Sequence, residues 1–93
     1  MRPRIVSRFP LGRVVITTNA ARYLTPNEIL TALRRHGLGD WGDTYPKDEG
    51  QNNLALQNGD RLFSVYHSGS GQTFWVITES DRSATTVLLP DDY

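Results

Sequence analysis

Apolar residues are spaced in two different ways along this chain of 93 residues. Gly12 to Thr18 (GRVVITT) is rich in β-branched residues and predicts a first strand. Asn19 to Leu24 reads equally as a turn or as one helical turn. Then comes a full set of helix-start signals. Thr25 suits an N-cap, Pro26 the first helical position, and Glu28 completes a capping box. Leu24 and Ile29 stand at the spacing of a hydrophobic staple. The helix should run to about His36, burying Ile29, Leu30 and Leu33. Arg34 and Arg35 favour the negative end of its dipole, and Gly37 should end it.

Beyond a turn-rich stretch from Gly37 to Pro46, Asp48 to Asn58 is compatible with a short helix. Asp48 would cap it, Leu54 would face the core and Gly59 would stop it. After it the period changes to two. Arg61 to His67, Thr73 to Glu79 and Ser83 to Leu89 read as three strands, and Ser68-Gly69-Ser70-Gly71 joins the first two as a hairpin. Gln72 to Pro90 is the most ordered stretch by pattern, two apolar strands around Ser80-Asp81-Arg82. The predicted fold is α+β: an antiparallel sheet of three or four strands with one or two helices packed on one face. Residues 1–93 should form one domain, with residues 1–10 an irregular basic arm.

Composition narrows the chemistry. Cysteine is absent, which excludes disulfides, zinc thiolates and thiol nucleophiles. No apolar run approaches the roughly 20 residues of a membrane span, and the expectation is a cytoplasmic protein. Net charge is zero but unevenly laid out. Residues 1–36 carry seven arginines and one acid, whereas residues 37–93 carry three basic residues and nine acids. A basic N-terminal third could meet phosphate or an acidic partner, or the two halves could neutralise each other on folding.

Candidate chemistry follows from where polar residues fall. Asp40 and Asp43 flank Trp41 and could share a cation, but calcium-loop spacing is absent and Asp beside Gly is common in plain turns, so no metal is expected. Nor does any phosphate-cradling glycine loop imply a cofactor. His67 closes one strand, Arg82 lies in the final turn and Thr85 follows it. Converging on one open pocket, they could serve as base, phosphate clamp and hydroxyl of a small metal-independent ribonuclease of the toxin type. Asp40, Trp41 and Asp43 in one loop, with Asp81 and Arg82 in another, are alternatively contact residues for a protein partner. Arg2, Arg4, Arg8, Arg34 and Arg35 are the residues a nucleic-acid-binding reading would use. An exposed edge of the sheet could also support a homodimer.

Three segments carry a resemblance. FPLGRVVITTNA at Phe9–Ala20, GDWGD at Gly39–Asp43 and WVITESDRSATTVLLPDDY at Trp75–Tyr93, with the intervening NGDRLFSVYHSGSGQTF, resemble a small family of accessory proteins of bacterial plasmids and integrative elements. The chain departs from that family's more charged helical segment at Asp48–Asn58. The resemblance implies a mobile-element accessory protein and supplies no catalytic residues. Together with small size, it implies a non-enzymatic interaction module, for instance an inhibitor of a host defence complex such as a CRISPR effector. Ribonuclease and nucleic-acid-binding readings stand as alternatives.

Overall fold

The computed structural model describes residues 7–44 and 46–93. The elements run β1 (Arg13–Ile16), α1 (Thr18–Tyr23), α2 (Pro26–Gly37), α3 (Pro46–Asn58), β2 (Leu62–His67), β3 (Thr73–Thr78) and β4 (Ala84–Leu88), then a 3-10 turn at Pro90–Asp92. The α+β class holds, with three helices rather than one or two. β2, β3 and β4 form an antiparallel meander. β1 joins parallel to β4, so the sheet is mixed, in the order β1-β4-β3-β2. Only a long crossover permits such a parallel pair, and here α1, α2, α3 and two strands supply it.

The helix starts are built by the expected chemistry. Thr25 Oγ1 accepts the Glu28 N–H at 3.1 Å, and Glu28 Oε1 accepts the Thr25 N–H at 2.9 Å. The second Glu28 oxygen accepts the Gly69 N–H at 2.7 Å, tying the start of α2 to the β2–β3 turn. These backbone donors hold the Glu28 carboxyl below its ordinary range. Thr17 caps the ambiguous segment as a true helix, its side chain accepting from the Ala20 N–H at 3.1 Å.

Pairing fixes which side chains share a face. Leu62, Ser64 and Tyr66 of β2 lie beside Thr78, Val76 and Phe74 of β3, and Val76 and Thr78 beside Val87 and Thr85 of β4. On that face Ala20, Leu24, Ile29, Ala32 and Leu33 of the first two helices bury Tyr66, Phe74, Val76 and Val87. A second cluster joins Phe9, Trp41, Ala55 and Leu62. Phe9 therefore anchors the end of the arm expected to be irregular, helped by the Arg8 N–H donating to the Gly37 carbonyl at 2.8 Å. In α3 the expected inward residue is displaced. Leu54 is exposed, while Asn52 and Ala55 face inward.

Between the two apolar clusters runs a buried polar chain. His36 is wholly inaccessible, with Nδ1 2.6 Å from Ser64 Oγ and Nε2 2.8 Å from Thr78 Oγ1. Thr78 Oγ1 lies 2.7 Å from Thr85 Oγ1, which donates to the Leu11 carbonyl at 2.7 Å. A carbonyl can only accept, and this sets each proton from Leu11 as far as His36 Nε2. Thr85 uses its hydrogen on Leu11, so Thr78 must donate to Thr85 and accept from His36 Nε2–H. Burial, aided by the positive charge of Arg82, lowers the His36 pKa to about 3, which leaves Nδ1 without a proton. Ser64 then donates to Nδ1, and His36 is a neutral Nε2–H imidazole.

Candidate interaction edge

The residues suggested for ribonuclease chemistry do not meet. His67 ends β2 opposite Thr73, whereas Thr78 pairs with Leu62, so the β3–β4 turn that carries Arg82 lies at the other end of the sheet. His67 also sits on the face opposite Ser64 and Tyr66, while Thr85 is buried on the helix side. Arg82 adopts a positive φ of 60° and donates to the carbonyls of Asp60 at 2.6 Å, Glu79 at 3.1 Å and Ala55 at 3.3 Å. Its guanidinium lies over the Phe9 ring at 5.6 Å, a structural clasp between the final turn and the end of α3.

The loop residues suggested as partner contacts are also occupied. Trp41 is only 2% exposed, with its indole N–H donating to Asn53 Oδ1 at 3.0 Å and its ring beside Phe9 and His36. It is a core residue and no surface anchor. Asp40 takes Arg35 side-on, at 2.7 and 3.2 Å, and that ion pair holds the Asp40 carboxyl below its usual range. Arg35 in turn lies 4.7 Å over the Tyr66 ring. Asp43 lies instead with Oδ2 3.0 Å from His67 Nε2. Among the described residues no cluster of three or more metal-ligating side chains forms. Asp81 caps its own turn through the Ser83 N–H at 2.9 Å. Of the arginines considered for nucleic acid, Arg8 and Arg34 are exposed on α2's C-terminal side of the fold, Arg35 is engaged by Asp40, and Arg2 and Arg4 lie outside the described residues.

What remains open is backbone. The outer edge of β2 is covered by the chain itself. Val65 donates to the Trp41 carbonyl at 3.0 Å and accepts the Asp43 N–H at 2.8 Å. Two residues earlier, Asn52 imitates a strand: its amide donates to the Phe63 carbonyl at 2.7 Å and accepts the Phe63 N–H at 3.0 Å. That is thorough edge protection.

β1, at the other edge, has none among the described residues. Arg13 and Thr17 turn their N–H groups inward, onto the Ser83 carbonyl at 2.9 Å and the Val87 carbonyl at 3.1 Å. The alternating residues Val14 and Ile16 therefore direct their N–H and C=O groups away from the sheet. Val14, Val15 and Ile16 are 40%, 38% and 40% exposed, three consecutive β-branched side chains at the surface. By register Val14 and Ile16 share the helix face with Thr85 and Val87. There Ile16 forms one wall of an apolar groove of about 340 Å³ with Leu24, Pro26, Ile29, Leu30 and Leu33. An added extended chain could bond to β1 and place alternate side chains over this groove.

Sequence reasoning identified β1 as a strand but not as the open edge. The available signal was the run Val14-Val15-Ile16 without an interrupting charge, since an edge strand ordinarily carries a charge or proline that blocks pairing. No protein-family model, curated protein or solved structure matches this chain. No helix among the described residues is long and apolar enough to cross a membrane.

Proposed function

We propose that this protein is a non-enzymatic interaction module that binds a protein partner by strand addition at β1. One observation carries the reading: among the described residues, two separate devices cover the β2 edge, and the apolar run Val14-Val15-Ile16 of the β1 edge has no cover. Backbone hydrogen bonds from Val14 and Ile16 supply affinity, and the groove beside Ile16 supplies selectivity for a partner strand with aliphatic side chains. Of the arginines a phosphate-binding surface would use, Arg35 is already engaged by Asp40, which favours the strand-addition reading. With the resemblance to plasmid and integrative-element proteins, the reading extends to an accessory protein of a mobile element. Its partner would then be a host protein, such as a subunit of a CRISPR effector or another defence complex.

The test is affinity capture from a bacterial host, with nuclease treatment, comparing wild type with Val15→Lys and Ile16→Asp. A stoichiometric protein partner kept by wild type and lost by both variants is the expected result. Recovery dependent on intact RNA or DNA, or recovery indifferent to both substitutions, would overturn the reading.

A further inference from the structure

We propose that, in the free protein, β1 of a second copy closes this edge, giving a two-fold dimer with a continuous eight-stranded sheet. The inference rests on the strand-addition reading above and names the occupant. β1 is self-complementary in three respects that a generic partner strand need not share.

The first is hydrogen-bond phase. An antiparallel pair with its two-fold axis at Val15 sets Val14 opposite Ile16 of the second copy, and Ile16 opposite its Val14. These are the residues whose N–H and C=O groups point outward, so each pair can exchange both hydrogen bonds. Val15 then faces its own equivalent as the close, non-bonded pair. Shifting the register by one residue would aim inward-bonded groups at the partner and lose the match.

The second is side-chain chemistry. Across the axis, Val14 of one copy lies next to Ile16 of the other on the helix face, at the rim of the apolar groove. Val15 meets Val15 on the other face. Three β-branched residues that are about two-fifths exposed in one copy are thus covered by the same three from the other.

The third is charge. The same register sets Arg13 opposite Thr17 of the second copy, avoiding any like-charge pair. Arg13 forms no ion pair among the described residues. Thr17 Oγ1 donates to Asp92 Oδ2 at 2.6 Å, so Asp92 is held beside Thr17 on the side Arg13 would approach. Asp92 also accepts from Asn19 Nδ2 at 2.8 Å and from the Leu89 N–H at 3.0 Å. These donors orient a carboxylate that has no cation beside it among the described residues. Two symmetric Arg13–Asp92 contacts would form, one at each end of the paired strands.

One short strand per copy makes a small interface, so the dimer should be weak and concentration-dependent. Sedimentation equilibrium of the full chain, from micromolar to sub-millimolar, should show monomer and dimer in exchange. Hydrogen exchange should show Val14 and Ile16 amides gaining protection as concentration rises, with those of Arg13 and Val15 unchanged. Val15→Lys, which sets two ammonium groups face to face at the axis, should abolish the dimer while circular dichroism stays native. Arg13→Gln, a conservative surface change, should weaken the dimer about tenfold and remove most of its salt dependence.

A monomer at every concentration overturns the proposal, as does a dimer that survives Val15→Lys with no protection at Val14 and Ile16. A monomer whose partner capture is still lost on Val15→Lys overturns self-pairing and leaves the strand-addition reading in place. A dimer lost on Val15→Lys with partner capture intact supports self-pairing and moves the partner site elsewhere.

Discussion

His36 Nδ1 lies 2.6 Å from the hydroxyl of Ser64, 28 residues along the chain, in a part of the interior closed to solvent. The contact joins the last turn of α2 to the middle of β2. Through Thr78 and Thr85 the same ring reaches β3, β4 and the segment before β1. Each polar atom in this run is satisfied, which is the condition for a buried network to hold a fold together.

Acid should weaken the fold through this ring. His36 is neutral when folded, with a pKa of about 3, and gains a proton near its ordinary 6.5 once unfolded. The unfolded state binds more protons between those values, so this contribution is complete above about pH 6.5 and falls as pH drops toward 3. Loss should approach 1.4 kcal/mol per pH unit, or roughly 2–3 kcal/mol by about pH 4.5. Urea melts across that range should show it, and His36→Gln should flatten the slope. Carboxylates held low in the fold, such as Asp40 and Glu28, act in the same direction at lower pH. Nitrogen NMR should find the Nε2–H tautomer at pH 6.

Gly42 and Gly59 make a controlled pair. Both have positive φ, 72° and 74°. A Cβ on Gly59 would meet nothing, whereas one on Gly42 would fall 1.9 Å from the Val65 carbonyl oxygen. Gly59→Ala should cost about 1 kcal/mol, the strain of the left-handed backbone alone. Gly42→Ala should cost more than about 3 kcal/mol, because the 41–43 segment must leave the β2 edge. Thermal melts of the two variants, read side by side, check the difference.

Asn52→Ala should both destabilise the fold and expose β2. Two hydrogen bonds to the Phe63 backbone disappear, at a cost of roughly 2–3 kcal/mol because the Phe63 groups lose their partner. The Phe63 amide should exchange faster, and the variant should aggregate at concentrations where wild type does not, as a second bare edge appears. Unchanged Phe63 exchange would show that water replaces Asn52 there without loss.

Trp41 shows what a loop's own residues leave undetermined. Its neighbours, Gly39, Asp40, Gly42 and Asp43, are turn residues, and an aromatic side chain in such a run suggests a surface anchor. Its burial is decided by Phe9, His36, Ala55 and Leu62, which come from four separate parts of the chain. Local composition carries no trace of that meeting. Nor could the spacing of His67, Arg82 and Thr85 reveal that the hairpin register sends them to opposite ends and faces of one sheet.

Local interactions settled what the sequence alone determined: the capped helix α2, the three meander strands and their turns, and the α+β class. Capping boxes, turn residues and two-residue alternation act within a few positions, so they are written in order along the chain. Tertiary structure alone decided the parallel docking of β1 on β4, the neutral histidine at the centre, and which edge was left bare. Each depends on groups dozens of residues apart meeting in one place. Val14-Val15-Ile16 would read the same in a central strand; they are exposed because, among the described residues, no strand lies beyond them.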